Sequence, residues 1–317
     1  METQFKPNWT LLESLRNRFL SEEFSPTTSY WSTEEVLEQY HSTFAERIGW
    51  KWDAVLRDFE TKLSQSSIVP KALLDWGCGT GIAALKLAEK FYRRGLEEIV
   101  LWDRSPASIR FSMKVIQNQF PLLKVRAWDC QEVPKDFVLV CSHILNELSS
   151  EAEKELKRII DLSQWVFWVE PGTPEHSRKL IELRESLRSH FTVVAPCPHQ
   201  LSCGLLDHSQ KNNWCHFFAS PPNQVFRDGF WKQFSQKLGI DLRSLPTSFL
   251  VLSKTALLDT KLSHPQKRVL GRMRNYKGYS LALTCSENGI SQQKLLQRNS
   301  SQVIDLLREN EFSAWLP

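Results

Sequence analysis

The sequence predicts an α/β protein built on a mostly parallel, doubly wound sheet, and three observations predict it. From residue 72 onward, short apolar runs alternate with amphipathic stretches of about 10 to 15 residues, the pattern of strands joined by right-handed helical crossovers. A glycine-rich loop, Asp75-Trp76-Gly77-Cys78-Gly79-Thr80-Gly81, stands between the first such strand and the first such helix. The 317 residues are 41% apolar and 24% charged, enough to bury a sizeable core.

Taken in order, Leu11, Leu12, Leu15 and Phe19 recur at helical spacing, and Glu34–Phe59 continues it, so residues 1–60 are expected to form a helical N-terminal cap. The core, 61–255, reads as strand Ala72–Trp76, helix Ile82–Arg94, strand Ile99–Trp102, helix Pro106–Gln117 and strand Val125–Trp128. It continues with strand Phe137–Cys141, helix Ala152–Ile160, strand Trp165–Val169, helix Glu175–Ser189 and strand Phe191–Val194. Regularity then fails. Pro196, Pro198 and Gly204 fall among cysteines and histidines, and 196–217 reads as an insertion with its own cross-link. A helix from about Gln224 to Leu238 and a strand Ser248–Leu252 return to the sheet. Residues 256–317 offer strands Arg268–Arg274, Tyr279–Cys285 and Gln292–Gln297 with turn signals at Lys277-Gly278 and Asn288-Gly289, a small β-rich appendage.

Composition bounds the function. No apolar run approaches the roughly 20 residues of a membrane-spanning helix. Glu2, Lys6, Glu13, Arg16 and Arg18 interrupt the first twenty residues, which argues against a secretory leader or a transit peptide. The expectation is a cytoplasmic protein, with the mitochondrial matrix as the alternative. In either reducing compartment seven scattered cysteines read as thiols, ligands or catalytic groups rather than disulfides. The net charge of +4 hides an asymmetry: up to Glu170 there are 21 basic and 25 acidic residues, beyond it 19 and 11, or −4 against +8. A basic C-terminal half points to an anionic partner, nucleic acid first.

The glycine loop carries the most specific chemistry. Glycines permit positive φ and a close approach of cofactor to backbone. A dinucleotide fingerprint starting at Gly77 needs glycine at 82, where Ile82 stands. D-x-G-x-G-x-G instead resembles motif I of the Rossmann-like class I S-adenosylmethionine methyltransferases. That resemblance implies cofactor-binding roles for Asp75, Gly77, Gly79 and Gly81, with Asp103 on the ribose hydroxyls and Asp129 at the adenine amino group. The acceptor end, after the fourth strand, presents Cys141, Ser142, His143, Asn146 and Glu147, none of which forms the motif that holds a flipped base. Ser220-Pro221-Pro222-Asn223 imitates that motif without its aromatic residue. Cys141 as a nucleophile, with Thr284-Cys285-Ser286 as a second cysteine motif, is weaker than a buried structural thiol. No catalytic residue is assigned.

Ala195-Pro196-Cys197-Pro198-His199, Cys203-Gly204 and Trp214-Cys215-His216-Phe217, with Leu145-Asn146-Glu147-Leu148 and Glu170-Pro171-Gly172-Thr173-Pro174, resemble one particular group. It is the methyltransferase-like proteins of mitochondrial small ribosomal subunit assembly, the methyltransferase-like protein seventeen family, with its yeast counterpart and bacterial relatives. The resemblance implies a [4Fe-4S] cluster on Cys197, Cys203, Cys215 and Cys285, tying the insertion to the C-terminal appendage. Four thiolates also suit tetrahedral zinc, and His199 and His216 stand beside them as alternative ligands. Lys267–Lys277 holds five basic residues and no acid; Arg268, Arg272 and Arg274 on one strand face are expected to meet phosphates, and Tyr276 to stack on a base. A charge-protected edge strand is the alternative.

The reading that results is a protein that binds S-adenosylmethionine and an iron–sulfur cluster, binds small-subunit ribosomal RNA or a pre-ribosomal particle, and assists ribosome assembly or translation. Its alternatives are an active ribosomal RNA methyltransferase and a zinc-stabilised RNA-binding protein with a vestigial cofactor pocket.

Overall fold

The computed structural model of the protein describes residues 5–20, 31, 33–65, 70–255, 267–309 and 311–316. Glu2 and the expected domain boundary at 256 lie outside them. The chain divides into two compact units, one of Met1–Asp53, Val69–Ser163 and Ser220–Ser244, the other of Ala54–Ile68, Gln164–Ala219 and Leu245–Pro317.

In the first unit, helices α1 (Trp9–Leu20) and α2 (Glu34–Tyr40) lead through a π-turn, His41–Ala45, into α3 (Glu46–Gln65), whose residues up to Asp53 belong to this unit. Thr33 caps α2 by accepting the Val36 N–H. Strand β1 (Ala72–Trp76) is buried on both faces, as its apolar residues Ala72, Leu73, Leu74 and Trp76 require, and Asp75 is buried with them. Helix α4 (Ile82–Phe91), β2 (Glu98–Trp102), α5 (Pro106–Gln119), β3 (Lys124–Ala127), β4 (Phe137–Ser142) and α6 (Ser150–Leu162) follow. The four strands run parallel in the order β3-β2-β1-β4. Ser105 and Ser149 cap α5 and α6, and Pro106 takes the first turn of α5, where its missing N–H costs nothing.

Helix α8 (Gly229–Leu238) also belongs to this unit. The helix expected from Gln224 is broken: a 3₁₀ turn, Asn223–Phe226, precedes it, and Asp228 starts α8 afresh by accepting the Phe230 N–H. Its aromatic face meets the N-terminal helices, Trp231 against Trp50 at 4.8 Å and Phe234 against Phe44 at 5.5 Å. That burial, rather than the sheet, is what the helix serves.

The second unit takes in α3 from Ala54 onward and continues with strand β5 (Trp165–Pro171), helix α7 (Pro174–Leu187) and β6 (Thr192–Ala195). The insertion then leads to a short β7 (Phe217–Ala219), absent from the sequence reading, and β8 (Leu245–Ser253). Strand β8 lies between β5 and β6, antiparallel to both, and also pairs with β7. Gly172 is required where β5 passes β8, because a Cβ there would lie 2.5 Å from the Thr247 backbone nitrogen. Strands β9 (Lys267–Tyr276), β10 (Tyr279–Ser286) and β11 (Gly289–Leu296) form two hairpins, the first turning at the expected Lys277-Gly278 and the second at Glu287-Asn288, one residue before the expected Asn288-Gly289, because Gly289 already pairs with Ser286. Helix α9 (Gln297–Glu309) and β12 (Trp315–Leu316), neither of them expected, close a four-stranded sheet in the order β11-β10-β9-β12. Val269, Ala282, Leu307, Ala314 and Leu316 form its core.

Candidate cofactor cavity and four-thiol site

At the end of β1 the chain turns sharply, and the Gly77 and Cys78 N–H groups both donate to Trp102 O at 2.8 and 2.9 Å. Gly77, Gly79 and Gly81 take φ of +78°, +51° and +78°. A Cβ on Gly77 would stand 2.7 Å from Ile144 Cγ2, whereas one on Gly79 would meet nothing within 4 Å. The loop rims a cavity of about 260 Å³, walled by Trp76, Thr80, Asp103, Ser142, His143 and Glu147, with Phe19, Trp31 and Tyr40 on an aromatic side.

Asp103 faces this cavity. Its Oδ2 accepts the Gly79 N–H at 2.9 Å and its Oδ1 the Ser105 N–H at 2.8 Å. Desolvation raises its pKa, and those two bonds oppose the rise. A carboxylate has about four acceptor positions, so two remain for hydroxyl donors. Trp76 Nε1 and Thr80 Oγ1 are buried and have no protein partner, and both residues line the cavity. An adenosine bearing ribose hydroxyls and ring nitrogens fits such a wall.

The other two carboxylates are placed differently. Asp75 is fully buried behind the loop, outside the cavity lining, where Oδ2 accepts the Ala84 N–H at 3.3 Å. Burial raises its carboxyl to about 7. Asp129 is exposed beyond β3 and closes its own turn by accepting the Gln131 N–H at 3.0 Å, which lowers its pKa; it is not among the lining residues. The structure thus brings Asp103, Gly77 and Gly79 to the cavity and sets Asp75, Asp129 and Gly81 outside its lining, Gly81 facing Ser112 of α5.

At the acceptor end, Trp52 Nε1 donates to Ser142 Oγ at 3.0 Å, which lies 3.3 Å from His143 Nδ1, and Lys51 Nζ lies 3.2 Å from His143 Nε2. An ammonium donating to Nε2 leaves the proton on Nδ1, pointing to Ser142, so both imidazole nitrogens are engaged within the protein. Glu147, which pairs with Arg104 at 3.3 Å, is pushed up by desolvation against that arginine's pull, though 41% of its side chain remains in water. Cys141 is fully buried within β4 and is not among the residues lining the cavity. Ser220, Pro221, Pro222 and Asn223 are likewise absent from the lining.

Within the second unit, Cys197, Cys203, Cys215 and Cys285 line a single small cavity with apolar walls from Leu180, Leu205, Phe217 and Leu250. All four are free thiols. Burial drives the Cys203, Cys215 and Cys285 thiols upward, and charge repulsion adds to it between every pair of the four. Four thiols in one apolar cavity, with no disulfide to satisfy them, are a donor set suited to a positively charged iron or zinc group.

Helix α7 holds the cysteine-bearing segments. Glu185 Oε1 accepts the Cys203 N–H at 3.1 Å, Ser177 Oγ accepts the Cys215 N–H at 2.8 Å, and Arg184 Nε lies 3.2 Å from Cys197 Sγ. Arg178 donates to the carbonyls of Leu205, Gln210 and Asn213. The sequence signal for Arg184 was an arginine on the apolar stripe of Leu180, Ile181 and Leu187, a place for a charge only if it has buried partners. His199 Nε2 lies 3.6 Å from Cys285 Sγ, and its buried Nδ1 has no partner. His216 instead stacks on Trp214 at 4.5 Å and packs against Gly271, outside the cavity lining. As the side chains stand, no group of three or more His, Cys, Asp or Glu among the described residues is set to hold a metal ion.

The basic strand needs one correction. Arg268 is 1% exposed and ion-paired to Asp58 at 2.7 Å, sandwiched between Phe217 and Trp315, so it meets no phosphate. A bulge in β9, where Gly271 takes φ of +63°, breaks the expected single face. Arg272 lies 4.0 Å over Phe218 and pairs with Glu311. Beyond the bulge Arg274 and Tyr276 are exposed; Tyr276 stacks on Tyr279 at 4.9 Å, with Lys294 over the second ring at 4.5 Å.

Strand order β3-β2-β1-β4 in one unit, β5-β8-β6 with a reversed β8 in the other, and a glycine loop hydrogen-bonded to Asp103 at the wall of a cavity define a class I S-adenosylmethionine methyltransferase-like protein. Comparison of the sequence with family models matches residues 41–311 to the mitochondrial small ribosomal subunit Rsm22. The chain belongs to the Rsm22 family. No curated protein matches it. Among solved structures it is similar to the plantazolicin methyltransferase BamL bound to SAH, with 12% identity, a TM-score of 0.43, and 78% of this chain and 99% of that one covered. It is similar also to magnesium protoporphyrin IX methyltransferase from Synechocystis with bound SAM (11%, TM-score 0.40, 80% and 100% covered) and to a SAM-dependent methyltransferase from Aquifex aeolicus (14%, 0.38, 54% and 90%). At such scores the fold assignment rests on strand order and loop geometry, not on these likenesses. Among the described residues no helix is long and apolar enough to cross a membrane.

Proposed function

We propose that this protein binds S-adenosylmethionine in the glycine-loop cavity, holds a [4Fe-4S] cluster on Cys197, Cys203, Cys215 and Cys285, and binds small-subunit ribosomal RNA to assist assembly or translation. One observation carries the cofactor reading: an open cradle at Gly79 beside Asp103, with unpartnered Trp76 and Thr80 atoms on the same wall. S-adenosylmethionine, when bound, supplies an electrophilic methyl group; Asp103 accepts from its ribose, and the loop glycines let it approach the backbone. The cluster reading is supported by four free thiols from two distant chain segments meeting in one cavity. The acceptor end, which lacks the motif that holds a flipped base, favours a role in assembly over base modification. The RNA reading now rests on Arg274, Tyr276, Tyr279 and Lys294. The family's mitochondrial description supports the matrix over the cytoplasm as the compartment.

Two measurements on the full chain test this. Calorimetric titration with S-adenosylmethionine and S-adenosylhomocysteine should give saturable binding; none would overturn the cofactor reading and leave a vestigial pocket. Anaerobic purification should yield iron and sulfide with the broad visible absorption of an iron–sulfur cluster. Zinc alone, or no metal, would overturn the cluster.

A further inference from the structure

Arg184 is the deepest charge on α7, with 2% of its side chain exposed. Its guanidinium reaches four acceptors: Nε points to Cys197 Sγ at 3.2 Å, Nη2 to His199 O at 3.2 Å and Leu201 O at 2.8 Å, and Nη1 to the Glu185 carboxylate. Glu185 in turn takes the Cys203 N–H and the Ser202 hydroxyl. One arginine–glutamate pair thus fastens both ends of the Cys197–Cys203 loop, and its cation is directed at a sulfur. A buried guanidinium is stable only against compensating negative charge. Glu185 supplies one unit, and the Cys197 sulfur is the acceptor set against the Nε donor.

We propose that Arg184 is a positioning residue for the four-thiolate site, a buried donor that offsets the charge on Cys197 sulfur and thereby sets the reduction potential of the bound cluster. The inference rests on the cluster reading above. Hydrogen bonds to cluster sulfurs and local net charge are what proteins use to set such potentials, and a donor or cation favours the more negative, reduced form.

Arg178 provides the control, because it clamps the same insertion through the backbone carbonyls of Leu205, Gln210 and Asn213 rather than through a cysteine sulfur. The test compares anaerobically purified wild type, Arg184→Gln, Arg184→Lys and Arg178→Gln by iron and sulfide content and by a dithionite-poised potential titration. Arg184→Gln should shift the reduction equilibrium about tenfold toward the oxidised cluster, ~59 mV lower for a one-electron couple. Arg184→Lys should recover much of that shift, and Arg178→Gln should leave the potential at the wild-type value. A cluster of unchanged potential in Arg184→Gln, or an equal shift in Arg178→Gln, would overturn the proposal while leaving the cluster standing. Wild-type protein without iron and sulfide would remove both. If Arg184→Gln does not fold, Arg184→Lys decides: a potential equal to that of wild type supports charge as the cause, and a tenfold shift rejects it.

Discussion

Gly77 and Gly79 share a left-handed backbone but differ in surroundings, so the same substitution should separate folding from binding. In Gly79→Ala the new Cβ meets nothing within 4 Å, and the cost is that of an L-residue at φ +51°, about 1 kcal/mol. For a chain of this size that lowers the melting temperature by roughly 2–4 °C. The methyl group projects into the cradle that the cofactor must approach, so affinity for S-adenosylmethionine should fall by more than about tenfold, ~1.4 kcal/mol. In Gly77→Ala the same φ penalty is joined by a Cβ 2.7 Å from Ile144 Cγ2. The loop or Ile144 must move, and about 2–4 kcal/mol of stability should be lost. Thermal melts with calorimetric titration of wild type and both variants read the two effects separately. If Gly79→Ala binds S-adenosylmethionine as tightly as wild type while folding normally, the cavity beside this loop is not its site.

Four further outcomes follow from other parts of the molecule. Burial raises Asp75 to about 7 while the unfolded chain releases that proton near pH 4, so the stability it carries is complete below about pH 4 and is lost as the pH rises through 7, about 4 kcal/mol in all. Asp75→Asn should flatten that profile in denaturant titrations at pH 5 and pH 8, and an unaltered slope would contradict the assignment. Arg268→Ala strands buried Asp58 and should cost about 3–5 kcal/mol in urea unfolding, with the pair Arg268→Met and Asp58→Leu recovering most of it. Cys215→Ser should abolish bound metal and loosen the C-terminal sheet to hydrogen exchange; unchanged iron and zinc by elemental analysis would count against the site. Tyr276→Ala should weaken binding to small-subunit RNA by about 1–3 kcal/mol, whereas Lys294→Ala should reduce the salt slope by about one; salt-independent binding would contradict the electrostatic reading.

What the sequence determined by itself was local. Apolar runs bounded by glycine and proline set the strands of the core, because the period of a chain and the φ its residues tolerate are properties of neighbours. The glycine loop was legible for that reason, since D-x-G-x-G-x-G after a strand admits few backbones. So were the two hairpins, the first turning at Lys277-Gly278 and the second at Glu287-Asn288, one residue from its Asn288-Gly289 signal. What tertiary structure decided was burial. Arg268 read as an exposed cation until its partner appeared at Asp58, 210 residues earlier in the chain, where no local pattern reaches. Asp75, Asp103 and Asp129 each stand at or beyond a strand end, yet only Asp103 faces the cavity, because side-chain direction depends on which turn follows the strand. The helix at 229–238 kept its helical period while its aromatic face joined Trp50 and Phe44. The four cysteines lie up to 88 residues apart, and spacing alone carried no site; folding brings them to one cavity and sets the buried charge of Arg184 against one of their sulfurs.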